Sequence, residues 1–208
     1  MKTAEGLFIT FEGCEGAGKS TLMLRVFDAL VKKGFDVIKT REPGGSLIGQ
    51  QLRKLLLESE TLSPRTEVLL FLADRAEHVH SVILPALEAN KIVLCDRYTD
   101  STLAYQGAAR ELDISQLCSF AAHDLEPHLT IYLDIDPHLG FSRIHRKKDR
   151  MESEGNQFHE KVREGFLHLA KQHEDRIVSL DASRSPEAVF KLTMEAVNGK
   201  LGRTICPM

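Results

Sequence analysis

Residues 13–21 read Gly13-Cys14-Glu15-Gly16-Ala17-Gly18-Lys19-Ser20-Thr21, between a short apolar run and a segment of helical spacing. This stretch fits the pattern G-x-x-x-x-G-K-[ST] at a junction between strand and helix. Glycines let successive backbone N–H groups face inward, and the following helix adds the positive end of its dipole. The stretch predicts a phosphate-binding loop rather than a glycine-rich turn without a ligand. We expect all of residues 13–21 to bind ATP, with Lys19 at the β- and γ-phosphates and the Ser20 hydroxyl on Mg²⁺.

Short apolar runs alternate with longer segments of helical spacing along the rest of the chain. The apolar runs are predicted strands: Leu7–Phe11, Val37–Thr40, Ile92–Cys95, Leu129–Ile135 and Ile177–Leu180. The helical segments are 19–33, 46–57, about 64–90, about 99–123, and two more near Pro137 and Phe158. Because the runs are too uniformly apolar for strands with one wet face, they predict an α/β fold with a parallel sheet covered by helices on both sides.

The composition restricts the chain to a single domain over residues 1–208, since 208 residues with 42% hydrophobic content suffice for one sizeable core. The 27 basic and 30 acidic residues leave a net charge of −3, which gives little long-range attraction for nucleic acid. The four cysteines lack a C-x-x-C pair, and no apolar run reaches the roughly 20 residues that span a bilayer. We expect a soluble cytoplasmic protein without nucleic-acid or membrane partners. Residues 201–208 lack periodicity and are expected to form a loose tail.

An Asp-Arg pair follows the third predicted strand, at Asp96 and Arg97. In open α/β folds, ligands bind at this carboxyl edge of the sheet. Asp96, together with Ser20, is expected to hold Mg²⁺ or its waters, and Arg97 to bridge phosphates. The alternative is an Asp that caps the next helix and pairs with the Arg. Guanosine-dependent switch proteins would carry D-x-x-G after this strand and N-K-x-D further on, and this sequence has neither.

Seven segments in a fixed order extend the pattern from about residue 7 to residue 180. They are Phe11-Glu12-Gly13, Thr40-Arg41-Glu42-Pro43-Gly44-Gly45, Leu70-Phe71-Leu72-Ala73-Asp74-Arg75, Asp96-Arg97-Tyr98, Ser101-Thr102-Leu103-Ala104-Tyr105-Gln106-Gly107, Pro127-His128-Leu129-Thr130-Ile131-Tyr132-Leu133-Asp134 and Asp149-Arg150-Met151-Glu152. With these segments, the chain resembles the thymidylate kinase family, and closely its bacterial branch.

The resemblance implies an enzyme that transfers the γ-phosphoryl group of ATP to thymidine 5′-monophosphate (dTMP) with Mg²⁺. It also implies a three-layer P-loop nucleoside monophosphate kinase fold with a five-stranded parallel sheet and a short lid, and a homodimer. Three alternatives remain open at the level of the sequence: a kinase for another nucleoside monophosphate, a non-enzymatic nucleotide switch, and a nucleic-acid-binding ATPase.

The resemblance also implies roles for particular side chains in the acceptor site. Phe71 would stack on thymine and Arg75 would donate to a ring carbonyl; residues four apart share one helix face. Arg41 and Arg97 would hold the acceptor phosphate, and a phenol at Tyr105 would exclude a ribose 2′-hydroxyl. From the residues alone, Phe71 could instead belong to the core and Arg41 could be a surface charge. The remaining candidates for Mg²⁺, the sugar or the base are Glu12, Glu15, Ser101 and Gln106.

A basic stretch over residues 143–150 precedes a polar stretch that ends near residue 155. The resemblance makes residues 143–155 the lid that closes over ATP, whereas charge alone also allows a solvated helix end or a nucleic-acid patch. One branch of the family that the chain resembles carries an arginine inside the phosphate loop, whereas this loop has Glu15-Gly16-Ala17 and no cation before Lys19. The resemblance therefore implies that the catalytic cation comes from the lid. Arg146 and Arg150 are the candidates, because a helical lid would turn both toward the same phosphates.

Overall fold

The five predicted strands form one parallel sheet in the computed structural model, which describes residues 6–146 and 148–204. The strand order is β2-β3-β1-β4-β5, so β1 lies in the centre and pairs in parallel with β3 and β4. The strands are β1 (Leu7–Gly13), β2 (Val37–Arg41), β3 (Ile92–Asp96), β4 (Leu129–Asp134) and β5 (Ile177–Asp181). Each predicted strand is confirmed to within two residues at its ends.

Helices connect the strands and supply the outer layers. They are α1 (Lys19–Lys32), α2 (Leu47–Glu58), α3 (Pro64–His78), α4 (Leu84–Glu88), α5 (Thr99–Thr102), α6 (Ser115–Ala121), α7 (Pro137–Ser142), α8 (Asn156–Gln172) and α9 (Pro186–Thr204). Two π-helical segments continue these helices, Val79–Ile83 between α3 and α4, and Leu103–Ala108 after α5. No helix in the described ranges is both long and apolar enough to cross a membrane.

The core lies on both faces of the sheet, as the apolar strands predict. Leu7, Ile9 and Phe11 of β1 pack into a cluster with α1, α8 and α9. Phe8, which points to the other face, packs with the segment from Val79 to Ala86. Successive side chains of a strand alternate between faces, so a strand covered on both sides is apolar along most of its length. The predicted α/β fold with helices on both sides is confirmed.

One predicted helix is shorter than expected, and one observed helix was not predicted. The segment predicted as a helix over 99–123 is interrupted between Ala108 and Ser115, where Glu111 adopts a left-handed φ of 59°. Helix α9 was not predicted, although Ser185 before Pro186 is a start signal; Ser185 Oγ accepts a hydrogen bond from Ala188 N at 3.3 Å.

The prediction of a loose tail from residue 201 is wrong for residues 201–204. These residues form the end of α9, and Leu201 is buried in the core. Residues 205–208 lie outside the described part of the chain.

Candidate active site

A cavity of about 360 Å³ opens at the carboxyl ends of the strands. The phosphate loop, the end of β2, α3, the end of β3 and the segment after α5 surround it, together with the lid. Most of the predicted site residues line this cavity: Glu15, Gly16, Gly18, Lys19, Ser20, Thr21, Arg41, Phe71, Arg75, Asp96, Arg97, Ser101, Tyr105, Gln106 and Arg146. Five predicted residues are not among the lining residues, namely Glu12, Gly13, Cys14, Ala17 and Arg150.

The phosphate loop curls tightly between β1 and α1. Gly16 has a φ of 71°, and a Cβ on it would lie 1.9 Å from the Gly140 carbonyl oxygen of α7, so only glycine fits. Lys19 Nζ donates to the carbonyl oxygens of Gly13 and Cys14 at 2.9 and 2.8 Å. Burial, and then the Arg97 charge, lower the pKa of Lys19. The lysine is therefore held in the loop, at the position where a phosphate would meet the start of α1.

The two predicted metal ligands lie together at this end of the cavity. Ser20 Oγ donates to Asp96 Oδ2 at 2.5 Å, which joins the first turn of α1 to the end of β3. A hydroxyl and a carboxylate are hard oxygen ligands of the kind that Mg²⁺ takes together with phosphate oxygens and waters. The donor set of Ser20 and Asp96 fits Mg²⁺.

Arg97 is fixed by both its backbone and its side chain. Its φ of 70° is left-handed, an uncommon conformation for a residue with a side chain. Nη1 donates to Gly13 O at 3.0 Å and to Ser101 Oγ at 3.1 Å, and Nη2 pairs with Glu15 Oε1 at 2.8 Å. Burial opposes its charge, but Tyr105 and Glu15 outweigh that cost and raise the pKa of Arg97. Since Asp96 bonds Ser20 and Arg97 bonds Glu15, the simple cap-and-pair alternative for Asp96 and Arg97 is wrong.

Glu15 faces the cavity, whereas Glu12 lies behind it. Tyr105 Oη donates to both carboxylate oxygens of Glu15, at 2.7 and 2.8 Å. Burial alone would raise the pKa of Glu15, but Arg97 and Lys19 lower it. The carboxylate of Glu15 therefore stays charged beside Arg97 and Tyr105.

The expectation that Glu12 contacts the acceptor needs correction. Glu12 is fully buried; it accepts hydrogen bonds from Tyr98 N at 2.7 Å and from Ser101 Oγ at 2.5 Å. Burial, and then the Asp100 carboxylate, raise the pKa of Glu12 to about 8. Glu12 thus stabilises the turn after β3 and orients Ser101, which lines the cavity.

Phe71 and Arg75 line the cavity from one face of α3, as their spacing predicts. Phe71 is half-buried and lies outside the hydrophobic core, to which α3 contributes Val68 and Leu72 instead. Arg75 is almost fully buried, and its guanidinium pairs with Glu42 Oε2, with Nε at 2.9 Å and Nη2 at 2.7 Å. The aromatic ring and the guanidinium therefore line the same cavity from one helix, and the alternative of a core role for Phe71 is wrong.

Arg53, which the sequence did not suggest as a site residue, lines the cavity together with Arg41. Arg53 Nη1 donates to the Pro43 carbonyl oxygen at 2.8 Å. Burial, and then the charge of Arg41, lower the pKa of Arg53. A Cβ on Gly44 would lie 2.9 Å from Arg53 Cδ, so the Gly44 turn leaves room for this side chain. The sequence carries no local signal for Arg53, because only the turn of 43–45 brings α2 back to the end of β2. Further lining residues that were not predicted as site residues are Glu42, Pro43, Leu57, Tyr98, Thr102, Ile144, Asp149, Met151 and Glu152.

The segment 143–155, expected to form the lid, is not helical in its described residues, although a helix was predicted there. Residues 143–146 and 148–155 form turns and irregular backbone. Asp149 Oδ1 accepts from Glu152 N at 2.9 Å, while Asp149 N donates to Glu152 Oε2 at 3.0 Å, and this local pair closes a turn. This reciprocal pair resembles a helix cap, but it closes only one turn, and no helix continues through residues 150–155. The prediction that a helix turns Arg146 and Arg150 to the same side is therefore wrong.

Arg146 and Arg150 lie in different surroundings. Arg146 lines the cavity, with a side chain that is 62% exposed, and makes a two-bonded pair with Glu152 at 2.7 and 2.5 Å. Arg150 is 10% exposed; its Nη1 pairs with Glu67 Oε2 at 2.6 Å, and its Nε donates to the Leu56 carbonyl oxygen at 2.9 Å. Of the two predicted lid cations, only Arg146 faces the cavity in this structure.

Comparisons with known proteins agree with this geometry. The family profile described as thymidylate kinase matches residues 11–192. Thymidylate kinase of Protochlamydia amoebophila is 45% identical over 206 residues, which cover 92% of each chain. Thymidylate kinase of a Geobacillus species is 46% identical over 93% of this chain and 96% of its own. The crystal structure of thymidylate kinase from Ehrlichia chaffeensis superposes with a TM-score of 0.77 at 33% identity, covering 93% of this chain and 99% of that one. The chain belongs to the thymidylate kinase family.

Proposed function

We propose that this protein transfers the γ-phosphoryl group of ATP to dTMP, giving ADP and dTDP. Family membership and relatives near 45% identity over most of the chain support this activity. The observation that carries it is one cavity with Lys19 in the phosphate loop at one end and Phe71 with Arg75 at the other. One end suits a nucleoside triphosphate, and the other suits a planar base.

Transfer on this site needs positioning and charge neutralisation rather than a general base. An anionic oxygen of the dTMP phosphate attacks the γ-phosphorus, the bond from the γ-phosphorus to the β–γ bridging oxygen breaks, and ADP leaves with that electron pair. Lys19 would hold the β- and γ-phosphates. Arg41, Arg53 and Arg97 would hold the acceptor phosphate, since guanidinium groups bind phosphate oxygens with paired hydrogen bonds. Holding donor and acceptor in line removes much of the entropic barrier.

Mg²⁺ would be held by Ser20 and Asp96, whose oxygens converge at 2.5 Å. When bound, the ion neutralises charge on the β- and γ-phosphates. The contribution of the chain is to bring a hydroxyl from α1 and a carboxylate from β3 to one point beside Lys19.

The acceptor nucleoside would be recognised along the wall opposite the phosphate loop. Phe71 would stack on thymine, and Arg75, locked by Glu42 and by Thr102 Oγ1 at 2.9 Å, would donate to a ring carbonyl. Tyr105, held by Glu15, would place its ring beside C2′ and leave no room for a ribose hydroxyl.

Phosphorylation across a panel of nucleoside monophosphates tests the activity. With ATP and Mg²⁺, ADP release with dTMP should exceed that with AMP, GMP and CMP by about a hundredfold or more, because a pocket with fixed donors rejects bases that leave them unpaired. Coupled ADP detection and chromatography of dTDP measure it. ADP release that does not depend on any acceptor would indicate a nucleotide switch, and a preference for another acceptor would assign a different kinase.

We also propose that the protein works as a homodimer in the cytoplasm, on small molecules alone. Neighbouring helices α2, α3 and α6 carry exposed apolar side chains, including Leu47 and Phe120 at 83% exposure and Leu69 at 61%. Such a patch suits a second copy of the same chain. Cys14, Cys95 and Cys118 are buried free thiols, which suits a reducing compartment.

Charges placed in this patch should separate the copies. Phe120→Asp combined with Leu69→Asp should convert a dimer of about twice the chain mass to a monomer, because each charge would have to be buried in the interface. Light scattering coupled to size exclusion measures the mass. Leu139→Asp, on α7 outside the patch, is the matched control; a wild-type chain that is monomeric, or a double variant that stays dimeric, contradicts the proposed interface.

A further inference from the structure

Glu67 is a fully buried carboxylate on α3 that the phosphoryl transfer described above does not use. It lies four residues before Phe71, on the same helix face as Phe71 and Arg75. Its Oε1 accepts from Gln106 Nε2 at 2.9 Å and from Arg110 Nε at 3.3 Å. Its Oε2 accepts from Arg110 Nη2 at 3.1 Å and from Arg150 Nη1 at 2.6 Å. A buried carboxylate with this many donors is held in one position.

An ionised carboxylate can only accept hydrogen bonds, and this fixes the orientation of the Gln106 amide. An amide offers NH₂ donors on one side and a carbonyl acceptor on the other. If the amide flipped, its carbonyl oxygen would meet the Glu67 oxygens and repel them. Burial alone would raise the pKa of Glu67, but hydrogen bonds from Gln106, Arg110 and Arg150 lower it. Glu67 thus remains ionised at neutral pH, and Nε2 must face it.

The fixed amide has a consequence for the cavity, which Gln106 lines. With Nε2 turned toward Glu67, the atom of the Gln106 amide that points away from Glu67 is the acceptor Oε1. Thymine and uracil carry a hydrogen on N3 that can donate to such an acceptor. Cytosine has a lone pair at N3, which would face the Gln106 carbonyl oxygen without a hydrogen between them.

We propose that Glu67 is a positioning residue for base selection: by holding Gln106 Nε2, it presents the Gln106 carbonyl oxygen to N3–H of the acceptor base and so disfavours cytosine. This inference rests on the proposed function, since it concerns the acceptor of that reaction. Arg110 and Arg150 keep Glu67 charged, and through Arg150 the same carboxylate contacts the lid. Glu67 touches no substrate and acts through Gln106.

Glu67→Gln tests the proposal with little change in volume. Because the amide introduced by this substitution could present either a donor or an acceptor, Gln106 could turn its NH₂ toward the cavity. The ratio of kcat/KM for dTMP to that for dCMP should fall by about tenfold or more. This is the size expected when one favourable hydrogen bond to the base is replaced by an unfavourable contact. The ratio for dTMP to dUMP should stay within about twofold of wild type, because both bases carry N3–H. A change in both ratios would indicate a loosened pocket and overturn the proposal.

Two further variants separate positioning from packing. Arg110→Gln removes hydrogen bonds from the same carboxylate but leaves Gln106 bound to Glu67, so it should lower the melting temperature and keep the dTMP to dCMP ratio. Gln106→Leu removes the amide and should by itself lower the ratio of kcat/KM for dTMP to that for dCMP. In the double variant, Glu67→Gln should then have no additional effect on this ratio. It also tests the proposal if Glu67→Gln folds poorly.

Failure of the role proposed for Glu67 and failure of the proposed function give different results. An unchanged dTMP to dCMP ratio in Glu67→Gln or in Gln106→Leu overturns the inference, and so does an equal loss of selectivity in Arg110→Gln. If the wild-type protein does not phosphorylate dTMP at all, the proposed function itself is wrong.

Discussion

Replacing Lys19 with alanine is expected to lower kcat for dTMP phosphorylation by about a hundredfold to a thousandfold, the loss seen when a single donor to a developing charge is removed. The lysine is held at the carbonyl oxygens of Gly13 and Cys14, inside the phosphate loop. Burial lowers the pKa of Lys19, so its charge is costly for the fold, and the carboxylates of Asp96 and Glu15 offset part of that cost. Steady-state kinetics with ATP and dTMP measure the effect.

The Lys19 variant should keep its fold, because the side chain serves the loop and the phosphates rather than the hydrophobic core. Its circular dichroism and melting temperature should match those of Lys161→Ala, a control that removes a solvent-exposed lysine paired with Glu111. Lys161→Ala should also keep wild-type kcat. If Lys19→Ala retains near-normal turnover, the loop is a structural turn and the assignment of its lysine is wrong.

Arg146→Ala is expected to lower kcat by about a thousandfold, while KM for dTMP changes little, since an arginine that meets the transferred group acts mainly in the transition state. Arg146 lines the cavity from the lid, and the phosphate loop supplies no cation before Lys19. Its two-bonded pair with Glu152 places the guanidinium at the cavity rim. Single-turnover measurements would show the loss in the chemical step.

Arg150→Ala is the matched comparison for Arg146→Ala, because both remove an arginine from the same lid. Arg150 contacts Glu67 and the Leu56 carbonyl, so its loss should lower the melting temperature and reduce kcat far less than the loss of Arg146. The opposite order, with Arg150→Ala the slower enzyme, would mean that Arg150 leaves Glu67 to reach the phosphates. Normal kcat in both variants and in the double variant would make the lid a solvated basic surface.

The hydrogen bonds of Glu67 show why only part of the site could be predicted from the sequence. Glu67 meets Gln106 across 39 residues and Arg150 across 83 residues. Each of these side chains taken alone is an ordinary polar residue in a helix or a turn. Arg53 is similar, since it reaches the cavity only because Gly44 lets α2 fold back over Pro43.

Sequence patterns were enough to predict the five parallel strands, the glycine-rich turn between β1 and α1, and the position of Phe71 and Arg75 on one helix face. These features depend on local periodicity, on glycine at a turn and on residues within one or two turns of each other. Three features depend on long-range contacts and could not be predicted from these patterns. Glu12 is buried behind the cavity while Glu15 lines it, residues 148–155 are not helical, and Arg146 and Arg150 lie in different surroundings. These outcomes depend on which distant partners compete for each side chain. Arg146 pairs with Glu152 and Arg150 pairs with Glu67, so the position of each guanidinium depends on its own carboxylate partner and not on a shared helix face.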